Sequence, residues 1–259
     1  MTLFRGLLVL LGVIALPVLT SAQDAPGPAH PATVRIPDGG TSGRMESIFI
    51  PPKADAPFSL TLLTEWSRPL GNGGGTFTLT NERRIVRDSK GRIYQERWTL
   101  VPKGGKIKSF MDIFQITDPE RHTWYNCSTA TKVCDLFQYS LTTTKNYQPA
   151  IEPSGPLPDG NGVRQSDDLG MSSIEGVDTH GYRETTTINT GVMGNDQPMI
   201  ATRELWYSPQ LAINLVSMLD NPQTGKQVFK VKDLSTSEPE ASFFAVPDDY
   251  KVVDRSHEE

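Results

Sequence analysis

Short runs of alternating apolar and polar residues recur along this sequence, each bounded by turn-forming residues. Residues 58–66 (Phe-Ser-Leu-Thr-Leu-Leu-Thr-Glu-Trp) and 75–80 (Gly-Thr-Phe-Thr-Leu-Thr) are examples. A period of two puts every second side chain on one face, which is typical of a β-strand that is buried on one side. Further strand-like runs cover residues 93–101, 107–117, 122–127, 133–141, 181–189, 199–207, 213–219 and 226–234.

Turn-forming sequences separate these runs. They lie at residues 88–91 (Asp-Ser-Lys-Gly), 118–120 (Asp-Pro-Glu), 194–196 (Gly-Asn-Asp) and 221–225 (Asn-Pro-Gln-Thr-Gly). Only residues 238–244 have a helical pattern, and Pro247 limits it to a short turn of helix. About ten strands joined by short turns predict a mainly β fold with little helix, an antiparallel meander in a curved sheet or an open β-barrel.

Charged residues predict the register of a first hairpin. If the strands that flank residues 89–90 pair symmetrically, Glu82 lies opposite Arg97 and Arg83 lies opposite Glu96. Opposite charges directly across an antiparallel pair stabilise it by a few tenths of a kcal/mol, roughly.

The same reasoning applies to a second hairpin, centred on residues 193–194. Symmetric pairing sets Arg183 opposite Glu204 and Glu184 opposite Arg203. We interpret these residues as structural partners. The alternative is that Glu184 and Glu204 form an acid/base pair, but a partnered carboxylate normally keeps a low pKa.

Proline and glycine set the domain boundaries. Residues 23–43 are rich in both and contain few large apolar groups, so we expect a flexible lead-in. Residues 142–168 form a second such stretch, whose prolines and glycines exclude both helix and central strand. We predict a single β domain over residues 44–254 with a loop at about 142–168, because no helical pattern separates two cores.

Residues 1–22 are organised like a cleavable secretory signal peptide. Arg5 supplies the positive charge, residues 7–19 are an apolar stretch, and the small residues at 20–22 precede Gln23. This stretch is short for a membrane-spanning helix of about 20 residues, so an uncleaved anchor is the weaker alternative. No cysteine for lipidation lies nearby, and we expect a soluble, periplasmic or extracellular protein without a membrane anchor after cleavage.

Cys127 and Cys134 are the only cysteines in the chain. A hairpin centred on residues 130–131 places them directly opposite, where Cα atoms about 4.5 Å apart allow a disulfide. Export to an oxidising compartment favours this pairing. The alternatives are a metal site, for which His122 is the only nearby histidine, and a reactive thiol, for which closer cysteine spacing is usual.

Charge and motifs limit the possible functions. The formal net charge of −5 becomes −6 when Arg5 leaves with the signal, which argues against nucleic acid or anionic membrane as a partner. No motif for a nucleophile elbow, zinc protease, phosphate loop or EF-hand occurs, so we predict no catalytic residue, no metal and no cofactor. We interpret Gly71–Gly75 as a hairpin connection, and His122 and His180 as isolated residues near turns.

Aromatic residues occur on several predicted strands, where core packing is the usual role. The alternative is that some of them line a groove for an apolar ligand on a concave sheet. The residues concerned are Trp66, Trp98, Trp124, Tyr125, Trp206 and Tyr207.

One pattern runs through four segments after residue 173: a strand, Trp-Tyr-Ser-Pro, a strand, an Asn-Pro-x-x-Gly turn, a strand, and then Phe-x-x-Pro-x-x-Tyr. The segments are IEGVDTHGYRETTTI (174–188), RELWYSPQLAINLV (203–216), DNPQTGKQVFKVKDL (220–234) and EPEASFFAVPDDYKVV (238–253). In these four segments the chain resembles a set of uncharacterised exported bacterial β-rich proteins. More distantly it is similar to the periplasmic lipoprotein-carrier proteins, which implies an open β-barrel that holds an acyl chain.

These observations predict a non-enzymatic binding protein of the cell envelope or exterior. Its partner would be an apolar small molecule or an envelope protein. Two alternatives stay open: a hydrolase with an unrecognised carboxylate site, and a structural or assembly module that works through exposed sheet edges.

Overall fold

The computed structural model describes residues 48–71, 73–103, 106–139 and 151–257. The predicted signal peptide (1–22) and lead-in (23–43) lie outside the described residues, as do residues 140–150 of the predicted loop. The strands are β1 (Phe58–Pro69), β2 (Thr76–Arg87), β3 (Ile93–Lys103), β4 (Lys106–Asp118), β5 (Thr123–Ser128), β6 (Val133–Gln138), β7 (Gly155–Pro156), β8 (Gly162–Ile174), β9 (Val177–Ile188), β10 (Met199–Ser208), β11 (Ile213–Asn221), β12 (Gly225–Ser235) and β13 (Lys251–Asp254).

All these strands belong to one sheet, in the order β13-β6-β5-β4-β3-β2-β1-β12-β11-β10-β9-β8-β7. Every pairing is antiparallel except that of β13 with β6. Strands β1–β6 form one meander and β7–β12 another, and the pairing of β1 with β12 joins them. The predicted mainly β, antiparallel fold is confirmed as an open sheet. The described residues contain no α-helix, and therefore no helix that could span a bilayer.

Alternate residues of β1 build the first apolar core. Phe58, Leu60 and Leu62 point to the same face of the sheet, and each is at most 2% exposed. We call this face the inner face. The segment before β1 and the β10–β11 connection cover it through Ile48 and Leu211. Other members of this core are Ile85, Ile93, Leu215, Phe229 and Val231.

A second apolar core lies on the outer face. Val86 follows an inner-face residue of β2 and therefore points the other way, where it packs with Phe114 and Ile116. The segment after β12 covers this core, with Phe244 buried and the Tyr250 ring 5.3 Å from that of Phe114. The helical turn expected over residues 238–244 is a 3₁₀ helix, Ala241–Phe244.

The two cysteines form the predicted disulfide. Cys127 of β5 lies directly opposite Cys134 of β6, with Cα atoms 3.9 Å apart, and both are fully buried in the second core. The bond therefore joins the two strands of a hairpin at its most buried point.

The charge pattern predicted one of the two hairpins correctly. In β9 and β10, Arg183 lies opposite Glu204, and Glu184 lies opposite Arg203, as expected. The Arg183 guanidinium donates to the Glu204 carboxylate over 2.7 Å.

The predicted register of β2 and β3 is wrong by one residue. Ile85 pairs with Gln95, because the N–H of Asp88 donates to the carbonyl of Arg92 (3.1 Å) and leaves a three-residue loop, not a two-residue one. Gly91 permits this loop with φ of +81°, a conformation that other residues rarely adopt. The observed register rules out the expected pairs Glu82–Arg97 and Arg83–Glu96.

The predicted loop at 142–168 ends earlier than expected. Strand β8 begins at Gly162 and pairs with β9 from its first residue, Gly162 with Ile188. Residues 155–160 contain the two-residue strand β7 and a 3₁₀ helix, Pro158–Gly160. Strand β8 contains no proline, so each of its residues has the N–H that a ladder needs.

A buried arginine closes one end of the sheet. Arg87 of β2 is fully buried, and its guanidinium donates to the carbonyls of Pro51 (2.8 Å), Ala56 (2.8 and 2.9 Å) and Leu211 (2.6 Å). It also lies 4.6 Å from the centre of the Phe58 ring. One side chain thus ties β2 to the segment before β1 and to the β10–β11 connection.

We predict that Arg87→Met lowers the free energy of unfolding by about 3–5 kcal/mol, because it leaves buried carbonyls without a donor. Arg84→Met is the matched control on the same strand; Arg84 is exposed, so its loss should cost no more than about 1 kcal/mol. Urea denaturation of both variants measures the difference. Equal stabilities for the two variants would contradict the structural role of Arg87.

Candidate binding site

Strands β2 and β3 separate after a short ladder. In the described residues the ladder consists of Ile85–Gln95, Val86–Tyr94 and Arg87–Ile93, although each strand extends for several more residues. We call the gap between residues 76–84 of β2 and 96–103 of β3 the seam.

Side chains, not backbone pairs, bridge the start of the seam. Glu96 accepts the N–H of Arg84 (3.0 Å), where the next ladder bond would otherwise form. The Asn81 side-chain amide reaches the carbonyl of Trp98 at 3.5 Å. The Glu96 carboxylate is held in place by the indole N–H of Trp98 (2.8 Å) and the Tyr94 hydroxyl (3.4 Å). Burial and then the Glu96 charge raise the pKa of Tyr94, so this hydroxyl keeps its proton.

An arginine and two aromatic rings lie together on the inner face beside the seam. The Trp66 and Phe77 rings meet edge to face at 5.8 Å, and the Arg68 guanidinium lies 5.5 Å and 5.9 Å from their centres. Trp66 donates its indole N–H to the carbonyl of Thr224 (2.8 Å), which fixes its ring under the β11–β12 turn. We call Trp66, Arg68 and Phe77 the aromatic corner.

An open groove of about 820 Å³ adjoins the aromatic corner, between the β1–β2 and β11–β12 connections. Its apolar side chains are Pro69, Leu70 and Pro222, and Leu70 is 46% exposed. Its charged lining residues are Arg68, Lys226 and Asp220. The groove combines an apolar surface with a small excess of positive charge.

Gly225 fixes the shape of this groove. Its φ is +87°, and a Cβ atom there would collide with the carbonyl of Ser67 and lie 2.8 Å from the Cβ of Arg68. Only glycine lets β12 begin this close to the end of β1.

The two glutamates considered as an acid/base pair lie on opposite faces of the sheet. Glu204 lies opposite Arg183 in the ladder and shares its face of the sheet. Glu184 follows Arg183 in β9, so its side chain points to the other face, where it lies 3.7 Å from Arg164. Burial acts to raise the pKa of Glu204, but hydrogen bonds from Trp206 and Arg183 outweigh it and hold the pKa below its ordinary value. These carboxylates do not share a site.

His180 is not an isolated turn residue, as the sequence suggested, but part of a polar chain. It lies on β9, where Nε2 is 2.6 Å from the Asp168 carboxylate and Nδ1 is 3.1 Å from the Tyr182 hydroxyl. The N–H of Gly170, and then His180, lower the pKa of Asp168. Sequence reasoning missed this cluster because Asp168 fell inside the predicted loop.

The other residues singled out in the sequence have structural roles. Tyr207 is buried, and Trp124 stacks on Phe137 at 4.7 Å. Tyr125 packs against the second core, and β1 pairs antiparallel with the next strand, β2, as expected of a hairpin. The His122 ring lies 6.2 Å from that of Tyr139. Within the described ranges, no group of three or more His, Cys, Asp or Glu residues is placed to hold a metal ion.

No protein-family model matches the sequence, and no curated protein matches it. Several solved structures align with most of this chain. An uncharacterized conserved protein from Thermus thermophilus aligns over 77% of this chain and 91% of its own, with 12% identity and a TM-score of 0.39. Pseudomonas aeruginosa MucB in the MucA/MucB complex aligns over 77% of this chain and 58% of its own, with 13% identity and a TM-score of 0.37.

A putative outer membrane lipoprotein-sorting protein domain from Vibrio parahaemolyticus is a third similar structure. It aligns over 72% of this chain and 88% of its own, with 10% identity and a TM-score of 0.25. The distant similarity expected from the sequence is therefore present at the level of structure. It concerns the fold alone, and the ligand or partner has to be inferred from the residues of this chain.

We predict that Trp206→Phe raises the pKa of Glu204, because it removes one hydrogen-bond donor and leaves the burial in place. A carboxylate with a lowered pKa contributes stability that is lost as the pH falls through its pKa in the folded state. The Trp206→Phe variant should therefore lose the contribution of Glu204 at a higher pH than the wild type does. Carbon-13 NMR titration of the Glu204 carboxyl measures the shift. Trp98→Phe removes a similar bond to Glu96 and is the control, which should leave the Glu204 pKa unchanged. A Glu204 pKa that is also unchanged in Trp206→Phe would contradict the role of the Trp206 hydrogen bond.

Proposed function

We propose that this chain is an exported, non-enzymatic binding protein of the cell envelope or exterior, and that its ligand is an amphiphile with an acidic head group. The observation that supports this proposal is the aromatic corner beside the open groove. There, Arg68 lies over two aromatic rings and next to an exposed apolar side chain, Leu70.

The groove has a place for the apolar part of such a ligand. Leu70, Pro69 and Pro222 present hydrocarbon surface to solvent at the groove, and covering it with an acyl chain removes that surface from water. Each methylene group buried in this way contributes about 0.8 kcal/mol.

Arg68 supplies the complement of an acidic head group. Its guanidinium is held near Trp66 and Phe77, and the residue is exposed, so its donors are accessible. A guanidinium binds carboxylate or phosphate through two parallel hydrogen bonds, which a neutral head group does not offer. Lys226 adds a second positive charge, which partly offsets Asp220 on the neighbouring strand.

The buried disulfide is typical of an exported protein and agrees with the predicted signal peptide. The hydrolase alternative loses its best candidates, because Glu184 and Glu204 lie on opposite faces and are each placed near an arginine. The binding function is therefore the one that the described residues support best.

Calorimetry with decanoate and decanol tests the proposal. We expect the mature protein to bind decanoate more tightly than decanol, and Arg68→Gln to weaken decanoate binding by about tenfold or more, since a hydrogen bond to a charged group contributes roughly 1.5–3 kcal/mol. Arg121→Gln is the matched control, because Arg121 is exposed on the distant β4–β5 turn. Equal affinity for the two amphiphiles, or an unchanged affinity in Arg68→Gln, would overturn the proposal.

A further inference from the structure

The edge of β2 that borders the seam carries backbone groups without a ladder partner. The N–H of Arg84 points across the seam to Glu96. In an antiparallel strand, every second residue directs its N–H and C=O groups to the same neighbour. The backbone groups that face the seam are therefore also those of Thr76, Thr78, Thr80 and Glu82. No strand among the described residues pairs with this edge. At about 3.3 Å per residue, residues 76–80 of this edge are roughly 15 Å long.

Strand β3 is not suited to fill this edge. Pro102 lies on the far part of β3 and has no N–H to donate, and the Trp98 carbonyl already accepts the Asn81 side chain. The Glu96 carboxylate occupies the place of the next ladder bond. The two strands are therefore held apart by their own residues.

The exposed edge lacks the usual protection against strand addition. Natural edge strands are commonly interrupted by lysine, proline, glycine bulges or short length. Strand β8 has a bulge between Asp168 and Gly170 in its ladder with β9, and β13 has four residues. Residues 76–80 of β2, in contrast, read Thr-Phe-Thr-Leu-Thr, with no charge, proline or glycine.

The two faces of this edge differ in chemistry. Phe77 and Leu79 point to the inner face, towards Trp66, and the threonines at 76, 78 and 80 point outwards and are exposed. An extended chain added here would place every second side chain on an apolar surface and the others beside hydroxyl groups.

Nearby charge favours acidic residues in the added chain. Lys106 and Lys108 are exposed at the start of β4, on the hairpin that forms the far wall of the seam. On β2 itself, the Glu82 carboxylate is 2.7 Å from Lys232, which largely neutralises it.

We propose that the exposed edge of β2, residues 76–80, binds an extended segment of another polypeptide as an added β-strand, with apolar residues in alternation and acidic residues at its ends. This mode of recognition takes its affinity from main-chain hydrogen bonds and its specificity from alternate side chains. It goes beyond the amphiphile site, which lies at the groove.

A fluorescein-labelled peptide of alternating isoleucine and threonine, with glutamates at both ends, tests this inference by fluorescence anisotropy with the mature protein. We expect saturable binding. A peptide with the same side chains but N-methylated on the edge that faces β2 should bind about tenfold more weakly or worse, because its main-chain donors are lost. Equal binding of the two peptides would overturn the proposal.

Variants of the edge give a second, independent measurement. Thr78→Pro removes the main-chain donor and Thr78→Val removes only the hydroxyl, so only the proline variant should lose peptide binding, again by about tenfold or more. Arg121→Gln, on the exposed β4–β5 turn, is the control and should bind the peptide like the wild type. Normal binding by Thr78→Pro, or a protein that self-associates through this edge and does not bind the peptide, would contradict the inference.

Discussion

The Arg87 guanidinium lies between three parts of the chain that are far apart in sequence, and the arrangement of the sheet depends on it. Burying a charged group is costly unless hydrogen bonds satisfy it, and here carbonyls from Pro51, Ala56 and Leu211 do so. Because these carbonyls belong to the segment before β1 and to the β10–β11 connection, both are held over the inner face. One end of the sheet is closed by a core, and the binding features lie towards the other end.

Strand β2 has a different role in each half. Its last residues carry Arg87 and pair with β3, whereas residues 76–84 diverge from β3 and leave the seam. The same strand pairs with β1 along its whole length, so the diverging half stays ordered while one of its edges is exposed. The aromatic corner also depends on this pairing, since Phe77 lies directly opposite Arg68. The end of the sheet that Arg87 closes and the exposed edge along the seam therefore belong to the same strand, β2.

Much of this fold is predictable from the sequence, because alternation marks most strands and opposite charges fix the β9–β10 register. The disulfide is predictable for the same reason, since hairpin symmetry places Cys127 opposite Cys134. The β2–β3 register was missed because a positive φ at Gly91 adds one residue to the loop. Neither the role of Arg87 nor the aromatic corner is visible in the sequence, because Arg87 is held by carbonyls of distant segments and Trp66 is held by Thr224 of the β11–β12 turn. In the sequence, aromatic residues such as Trp66 indicate a possible groove for an apolar ligand but not its position.

The sheet is continuous along β1 and β2 but is open along the seam. Residue-resolved amide hydrogen exchange by NMR tests it most directly. We expect fast exchange for the amides of Thr78 and Thr80, which face the seam, and slow exchange for those of Leu79 and Asn81, which face β1. Protection of Thr78 and Thr80 as strong as that of Val86, in the β2–β3 ladder, would contradict an open seam.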